Sequence, residues 1–380
     1  MLKFLKQLNS MVGFMKLPKA QKRVVFYSEG PDYWPHLSGL VIELLKITNI
    51  PICYISSNKN DPGLQLTSPN YRTFYIADGY PTTVLFANIE TDVMVMTMPD
   101  LDTYHLKRSK YKVHYVYIQH SLVSLHMVYR SKAFDNFDTI FCAGEHHIKE
   151  IRALEKTYKL PAKNLIKHGY GRLDAIREEA SNSPKIAREK DTPINILIAP
   201  SWGKYGIIET IGQELIEILL TKGFNVTLRP HPQTKKLAGE KIKKILTQHQ
   251  ENPLFQIEMT ISSQVSLHKS DLMISDWSGA AFDYAFGLNK PILFIDTPRK
   301  VNNPDYEEIN IKPIEVSIRS QIGAIISIAS IESISESINS LLSTYNDKRQ
   351  EELGNQMVFN IGKANQVGAD AIKVLLSKNL

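Results

Sequence analysis

Four short segments hold most of the side chains that could bind phosphate or move a proton. They are Tyr117-Ile118-Gln119-His120-Ser121, Ile198-Ala199-Pro200-Ser201-Trp202-Gly203-Lys204, Thr227-Leu228-Arg229-Pro230-His231-Pro232 and Ile274-Ser275-Asp276-Trp277-Ser278-Gly279-Ala280-Ala281-Phe282-Asp283. Each begins in an apolar run and ends in polar residues, and open parallel sheets bind ligands beyond the carboxyl ends of their strands. The fourth segment runs into Ser-Gly-Ala-Ala, small residues that open a helix and leave its first N–H groups to a phosphate. Ser278 offers a hydroxyl there, Gly279 allows close approach, and Asp276 either caps the helix or takes a ligand hydroxyl. A well-capped helix with small residues chosen for packing is the blander alternative. Arg229-Pro230-His231-Pro232 reads as a rigid presentation of two side chains, because proline fixes φ and removes backbone donors. It supplies a cation for phosphate and an imidazole expected to titrate near neutrality. Taken alone, His120 reads first as a core histidine bonded to a backbone carbonyl.

Other clusters say less. Gly169-Tyr170-Gly171-Arg172-Leu173-Asp174 starts like a dinucleotide fingerprint, but Asp174 stands where the third glycine belongs, so it reads as a tight loop. His146, His147 and Glu150 have helical spacing for metal ligands without further ligands nearby, and read as a surface helix. Lys107, Arg108, Lys110 and Lys112 form a basic run before a strand, read as a solvated loop. No P-loop, Ser-His-Asp signature or zinc-finger spacing occurs.

These residues need a scaffold. From Arg23 onward, short runs rich in Val, Ile and Tyr alternate with segments of helical period, the pattern of parallel sheets wrapped in helices. The fold class is α/β. The expected strands are Arg23 to Tyr27, Pro51 to Ile55, Val93 to Thr97, Val113 to Gln119 and Thr139 to Cys142, with a helix after Pro35. The stretch between Ile176 and Pro193 turns polar and marks a linker. After it come strands Ile194 to Ala199, Asn225 to Arg229, Phe255 to Glu258, Asp271 to Ser275 and Pro291 to Ile295. From Ser317 onward the chain reads as helices. The expected units are therefore an amphipathic helix over 1–20, domains over 21–180 and 193–355, and a helix over 356–380 packing back on the first domain.

Composition sets the outer bounds. The 380 residues, at roughly 150 per domain, favour two domains. With 43% hydrophobic and 22% charged residues, wholesale disorder and fibrous repeats are excluded. Two cysteines, Cys53 and Cys142, cannot make a disulfide framework and fit a reducing compartment, so a cytoplasmic site is expected. The net charge of +6 biases the chain toward anionic partners. Nucleic acid ranks last among them, because basic and aromatic residues do not interleave along one element. No run approaches the roughly 20 apolar residues that span a bilayer. Leu2, Phe4, Leu5, Leu8, Val12 and Met15 recur at helical spacing with Lys3, Lys6, Lys16 and Lys19 around them. That pattern fits a helix lying on an anionic membrane surface, and equally a helix packed on the protein's own first domain.

Taken in order, these segments resemble the CDP-glycerol glycerophosphotransferase family, enzymes that build teichoic acids and related phosphopolyol capsules. The strongest part is Ser270 to Ser278 with Phe282-Asp283 and Lys290-Pro291-Ile292. Arg229 to Pro232 and Ala199 to Trp202 are similar to further motifs, and Gly169 to Asp174 is similar to the family's Gly-x-Pro-Arg-x-Asp. The chain departs from the pattern at Ser121, a glycine in the family, at Gly279, a serine, and at Gly203, an arginine for which Lys204 stands in.

The resemblance implies a glycosyltransferase-B type architecture, two Rossmann-like domains facing across a cleft with the donor held mainly by the second. It implies attack by an acceptor hydroxyl on the phosphorus that carries the polyol in CDP-glycerol or a related CDP-polyol, releasing CMP. His120 is then the candidate base, and His231 with Arg229 the stabilisers of the leaving CMP. Ser201, Trp202, Lys204, Asp276, Ser278, Gly279 and Asp283 complete the donor site, and Arg172 and Asp174 order the interdomain loop. No metal cage is readable, and a loosely held Mg²⁺ is the one cofactor left open. The acceptor would be lipid-linked or an oligosaccharide, with the enzyme peripheral on the inner face of a bacterial membrane. A nucleotide-sugar glycosyltransferase of the same architecture is the alternative, and a non-catalytic nucleotide-binding scaffold is a third reading.

Overall fold

Among the described residues, thirteen strands fall into two parallel sheets. The computed structural model describes residues 10–104, 106–182, 192–259 and 264–378. The first sheet contains β1 (Val24–Ser28), β2 (Ile52–Ser56), β3 (Tyr71–Tyr75), β4 (Val93–Met96), β5 (His114–Ile118), β6 (Thr139–Cys142) and β7 (Asn164–Lys167). Their order is β3-β2-β1-β4-β5-β6-β7. The second contains β8 (Asn195–Ile198), β9 (Asn225–Leu228), β10 (Phe255–Ile257), β11 (Leu272–Ser275), β12 (Ile292–Asp296) and β13 (Gly323–Ser327). Their order is β10-β9-β8-β11-β12-β13. In each sheet the order reverses beside the first strand, leaving a crevice at the strand ends where ligands bind in such folds.

Burial explains the strand sequences. β1, β2, β4 and β6 are buried along their whole length, as continuous apolar runs in sheets covered by helices on both faces should be. Three strands lie outside the expected set: Tyr71–Tyr75, Asn164–Lys167 and Gly323–Ser327. All three are edge strands, and the last corrects the expectation of helices only beyond Ser317.

The two sheets share a core. Leu122 and Val123, which follow β5, pack in one cluster with Leu197, Ala199, Phe282 and Phe294 of the second unit. The helix Gly171–Asn182 lies against the helix Ala280–Leu288. The chain then returns: the helix Ala364–Lys378 packs on Trp34–Ile47, and Ala369, Ile372, Leu375 and Leu376 join the core under β1 and β2. Asp174 fastens this return by accepting from the N–H groups of Gly362 at 2.6 Å and Ala364 at 3.0 Å.

The amphipathic start falls partly outside the described residues, which begin at 10. Within them Phe14 is fully buried in the first core, with Met11, Met15 and Leu17 packed against it. No helix among the described residues is long and apolar enough to cross a membrane.

Candidate functional site

The loops that leave the strand ends of the two sheets meet at the cleft, and His120 lies on its first lip. It follows β5 by two residues, half-buried, with Nδ1 3.1 Å from the Tyr117 hydroxyl and Nε2 3.3 Å from that of Tyr129. Tyr33 and His36 approach the ring edge-on at 5.9 and 6.1 Å. Burial pushes the imidazole down to about 4 against the pull of the Thr97 carbonyl. The ring is therefore neutral at physiological pH, and one of its nitrogens is an acceptor, as a base requires.

His231 lies on the second lip. It caps the helix Pro232–Leu237, its Nδ1 accepting from the Gln233 N–H at 3.1 Å. With Nδ1 used as an acceptor, the proton of the neutral ring sits on Nε2, which becomes a donor. Burial first, then the charges of Lys300 and His120, push this imidazole down to about 3. This corrects the expectation that it titrates near neutrality: an apolar pocket and a nearby ammonium both penalise the cation. The mention of His120 among those causes is also spatial, since it places the two histidines within electrostatic reach across the cleft.

Two buried guanidiniums interact near the junction of the two sheets. Arg229 is buried, 3.9 Å from Glu258, and is pushed down to about 10 by burial and by the charge of Arg172. Arg172 crosses between the sheets to pair with Asp283 at 2.8 Å, both residues buried. Asp283 is thus engaged by protein rather than left to a donor, and Arg172 ties helix to helix. Asp174 serves the returning C-terminal helix instead.

The remaining donor-side residues divide into those near His231 and those that shape the loops. The Trp202 ring lies 6.0 Å from that of His231, with the Lys300 ammonium 3.9 Å from the Trp202 ring centroid. Asp276 is buried and accepts from the N–H groups of Ser201 at 2.6 Å, Trp277 at 2.6 Å and Ile207 at 3.1 Å. A carboxylate so occupied organises loops, so the ligand-hydroxyl alternative for Asp276 gives way to the structural one. Ser201 contributes its backbone to that knot. Ser278 Oγ accepts from the Ala280 N–H at 3.3 Å, capping the helix start. Gly279 does allow close approach, but what approaches is Ser121: a Cβ at 279 would collide with the Ser121 hydroxyl. Gly203 has φ +118°, a conformation an arginine would strain to adopt. Lys204 points away along Tyr205, 5.1 Å from its ring, and lines a separate cavity.

Sequence reasoning passed over two groups here. Glu29 follows β1, half-buried, and burial pushes its carboxyl up to about 7, with Tyr33 as hydrogen-bond partner and Lys236 of the opposite lip opposing the shift. Lys300 follows β12, and burial pushes its ammonium down to about 8. Both stand beyond strand ends, so the rule that singled out the four segments would have found them had it been applied to every strand.

The secondary clusters prove structural. His146 Nε2 and His147 Nε2 each reach a backbone carbonyl, of Leu122 and Val123, at 3.0 Å, and Glu150 accepts from the Leu125 N–H at 2.5 Å. His147 and Glu150 are fully buried, which corrects the surface-helix expectation: this helix face clamps the segment after His120. Arg108 pairs with Asp138 at 3.0 Å. Lys290 donates to the carbonyls of His268 and Ser270, both at 2.6 Å. No group of three or more metal-ligating side chains occurs among the described residues.

Two parallel-sheet α/β units joined through a shared core define a glycosyltransferase-B type fold. S. aureus MnaA, in its UDP co-structure, matches at TM-score 0.60 and 10% identity, over 94% of this chain and 97% of its own. The UDP-GlcNAc 2-epimerase of Methanocaldococcus jannaschii matches at 0.56 and 14%, over 94% and 100%. The UDP-N-acetylglucosamine 2-epimerase of Rickettsia bellii matches at 0.57 and 14%, over 93% and 96%. At these identities the likeness establishes the fold. No curated protein matches the chain. Residues 126–301 match the family model of CDP-Glycerol:Poly(glycerophosphate) glycerophosphotransferase, and over that span the chain is glycerophosphotransferase-like. The matched span takes in Arg172, Arg229, His231 and the segment around Ser278, and begins six residues after His120.

Proposed function

We propose that the chain transfers a glycerol phosphate, or a related polyol phosphate, from a CDP-activated donor to an acceptor hydroxyl in the synthesis of a cell-surface polymer, teichoic acid or capsule, at the inner face of the membrane. The observation that carries this reading is the pair of neutral histidines at the strand ends of the two sheets, within electrostatic reach of each other, with the buried Arg229 two residues before the second. An alcohol is a poor nucleophile at neutral pH, and His120 takes its proton as oxygen attacks the phosphorus that bears the polyol. The bond from that phosphorus to the bridging oxygen breaks, and the electron pair leaves with CMP. His231 meets the leaving phosphate with its Nε2–H, and Arg229 and Arg172 offset the charge, since phosphoryl transfer relies on placement and electrostatics. Trp202 and Lys300 wall the donor beside His231. Glu29, on the acceptor lip beside Tyr33, orients the attacking hydroxyl when ionised.

The test is incubation with a panel of CDP-polyols and nucleotide sugars plus lipid-linked or oligosaccharide acceptors, scoring the nucleotide released. CMP from a CDP-polyol is expected, with turnover falling about 10²- to 10⁴-fold in His120→Ala and comparably in His231→Ala. Release of a nucleoside diphosphate from a sugar donor, or full activity in both variants, would refute the reading.

A further inference from the structure

Both nitrogens of His120 already have phenol partners, and the two phenols are not alike. Tyr117, on β5, is fully buried and wedged against the rings of Phe134 and Phe137 at 4.9 and 5.3 Å, so its hydroxyl, 3.1 Å from Nδ1, is a fixture. Tyr129 is half-buried, and its hydroxyl stands 3.3 Å from Nε2. Burial pushes both phenols up, so each keeps its proton. The two hydroxyls also bond to each other, and that bond raises the Tyr117 pKa and lowers that of Tyr129, which makes Tyr117 its donor. The Tyr117 proton is then spent on Tyr129, so Nδ1 carries the imidazole proton and Tyr129 donates to the lone pair of Nε2. The nitrogen that would act as base therefore has a phenol O–H in the place an attacking hydroxyl must take.

Tyr129 is held from the other unit. Asn302 donates through Nδ2 to the Val128 carbonyl at 2.7 Å, and Asn303 through Nδ2 to that of His126 at 2.9 Å. The backbone N–H groups of Asn302 and Asn303 both donate to the Met127 carbonyl, at 3.0 and 3.2 Å. Three consecutive carbonyls just before Tyr129 are thus fastened to the loop after β12. Lys300, two residues before Asn302 in that loop, lies against Trp202 beside His231. The loop beside His231 and the segment that covers His120 are therefore one splice.

We propose that Tyr129 is a gate on His120, a positioning residue that keeps water off Nε2 and yields its place to the acceptor hydroxyl, with Asn302 as its latch. The inference rests on the reading of His120 as the base, and it adds a control over which nucleophile that base activates. A water gains at Nε2 no more than the hydrogen bond the tethered phenol already makes, and it must also be immobilised. An acceptor brings contacts elsewhere, whose binding energy offsets moving the ring. With the gate removed, water attacks the phosphorus and gives its proton to His120. The bond to the bridging oxygen breaks and its electron pair leaves with CMP, so the donor is hydrolysed to CMP and polyol phosphate.

The test uses the full chain with the panel of CDP-polyols and compares CMP release without acceptor against transfer with acceptor, in the parent, Tyr129→Phe and Asn302→Ala. Release without acceptor is expected to rise about tenfold in Tyr129→Phe, the worth of one net hydrogen bond, and about threefold in Asn302→Ala. The ratio of hydrolysis to transfer rises in both. A purely structural role lowers hydrolysis and transfer together, so an unchanged ratio in Tyr129→Phe overturns the gate, and one in Asn302→Ala overturns the latch. A second readout is independent of turnover. The nitrogen NMR resonance of His120 Nε2, assigned by its loss in His120→Gln, should move in Tyr129→Phe and in the same direction in Asn302→Ala. If no CDP-polyol is consumed, the proposed reaction falls and that resonance decides the contact, which stands where the signal moves in both variants and falls where it stays.

Discussion

Glu29 and His120 sit on the same lip of the cleft and have been moved by burial in opposite directions, the carboxyl up to about 7 and the imidazole down to about 4. Desolvation disfavours whichever form is charged, so one environment favours the neutral state of both. Activity then carries a separable pH signature. His120 is already neutral above about pH 5 and contributes no limb near 6.5, whereas Glu29, facing Tyr33, Asp78, Asp100 and Lys236, ionises around 7. We expect kcat/KM to rise with pH through about 7 in the parent and that limb to vanish in Glu29→Gln, with a loss of about 10-fold at pH 8. A limb kept unchanged in the variant would assign the titration elsewhere. At this scale the sequence made the histidines and the loops beside them legible, because each ends an apolar strand. It hid what those side chains touch: Asp276 bound by the backbone N–H groups of Ser201 and Ile207 and Asp283 held by Arg172 are partnerships between residues 69 to 111 positions apart, which no local pattern encodes.

Between elements, the closest approach at the cleft floor is that of the loop after β5 to the start of the helix Ala280–Leu288. Ser121 and Gly279 fill that space together, one hydroxyl where a second Cβ has no room. Two of the three departures from the family pattern thus fall on one contact, with the larger residue moved to the other partner. Gly279→Ser should cut turnover and lower the apparent Tm by several degrees, a clash of the kind that costs about 1–3 kcal/mol. Adding Ser121→Gly should restore most of both, measured as a double-mutant cycle with a coupling of about 1 kcal/mol or more. Purely additive losses would mean that the two residues do not share the space. Elements were legible where they were buried on both faces. The three strands that escaped notice, Tyr71–Tyr75, Asn164–Lys167 and Gly323–Ser327, lie at sheet edges and are partly exposed along their length. They lack the continuous apolar run that marks a central strand.

For the molecule as a whole, the junction of the two sheets is cemented by a buried acid. Glu315 accepts from the Ser124 N–H at 2.7 Å and hydroxyl at 3.2 Å across the domain boundary. Burial and the nearby Glu150 push it up to about 7 from 4.5. His126, which faces both carboxylates, is raised in turn. A folded-state pKa above the unfolded one means that the unfolded chain loses its proton first as pH rises. Stability is therefore present in full below about 4.5 and is lost through about 7. Glu315→Gln should leave the apparent Tm nearly unchanged at pH 5. At pH 8 it should raise stability by about 1–2 kcal/mol, once the amide's own unpaired donor is counted. A variant destabilised equally at both values would show the carboxylate to be needed in its charged form. The return of the chain after residue 357, through Val358 in the shared core and the Phe359 N–H on the Ala143 carbonyl at 2.8 Å, has a mechanical consequence. The polypeptide passes between the lobes twice, so any gaping of the mouth is confined to a swing about the line joining those two crossings, like a door on a pair of pins.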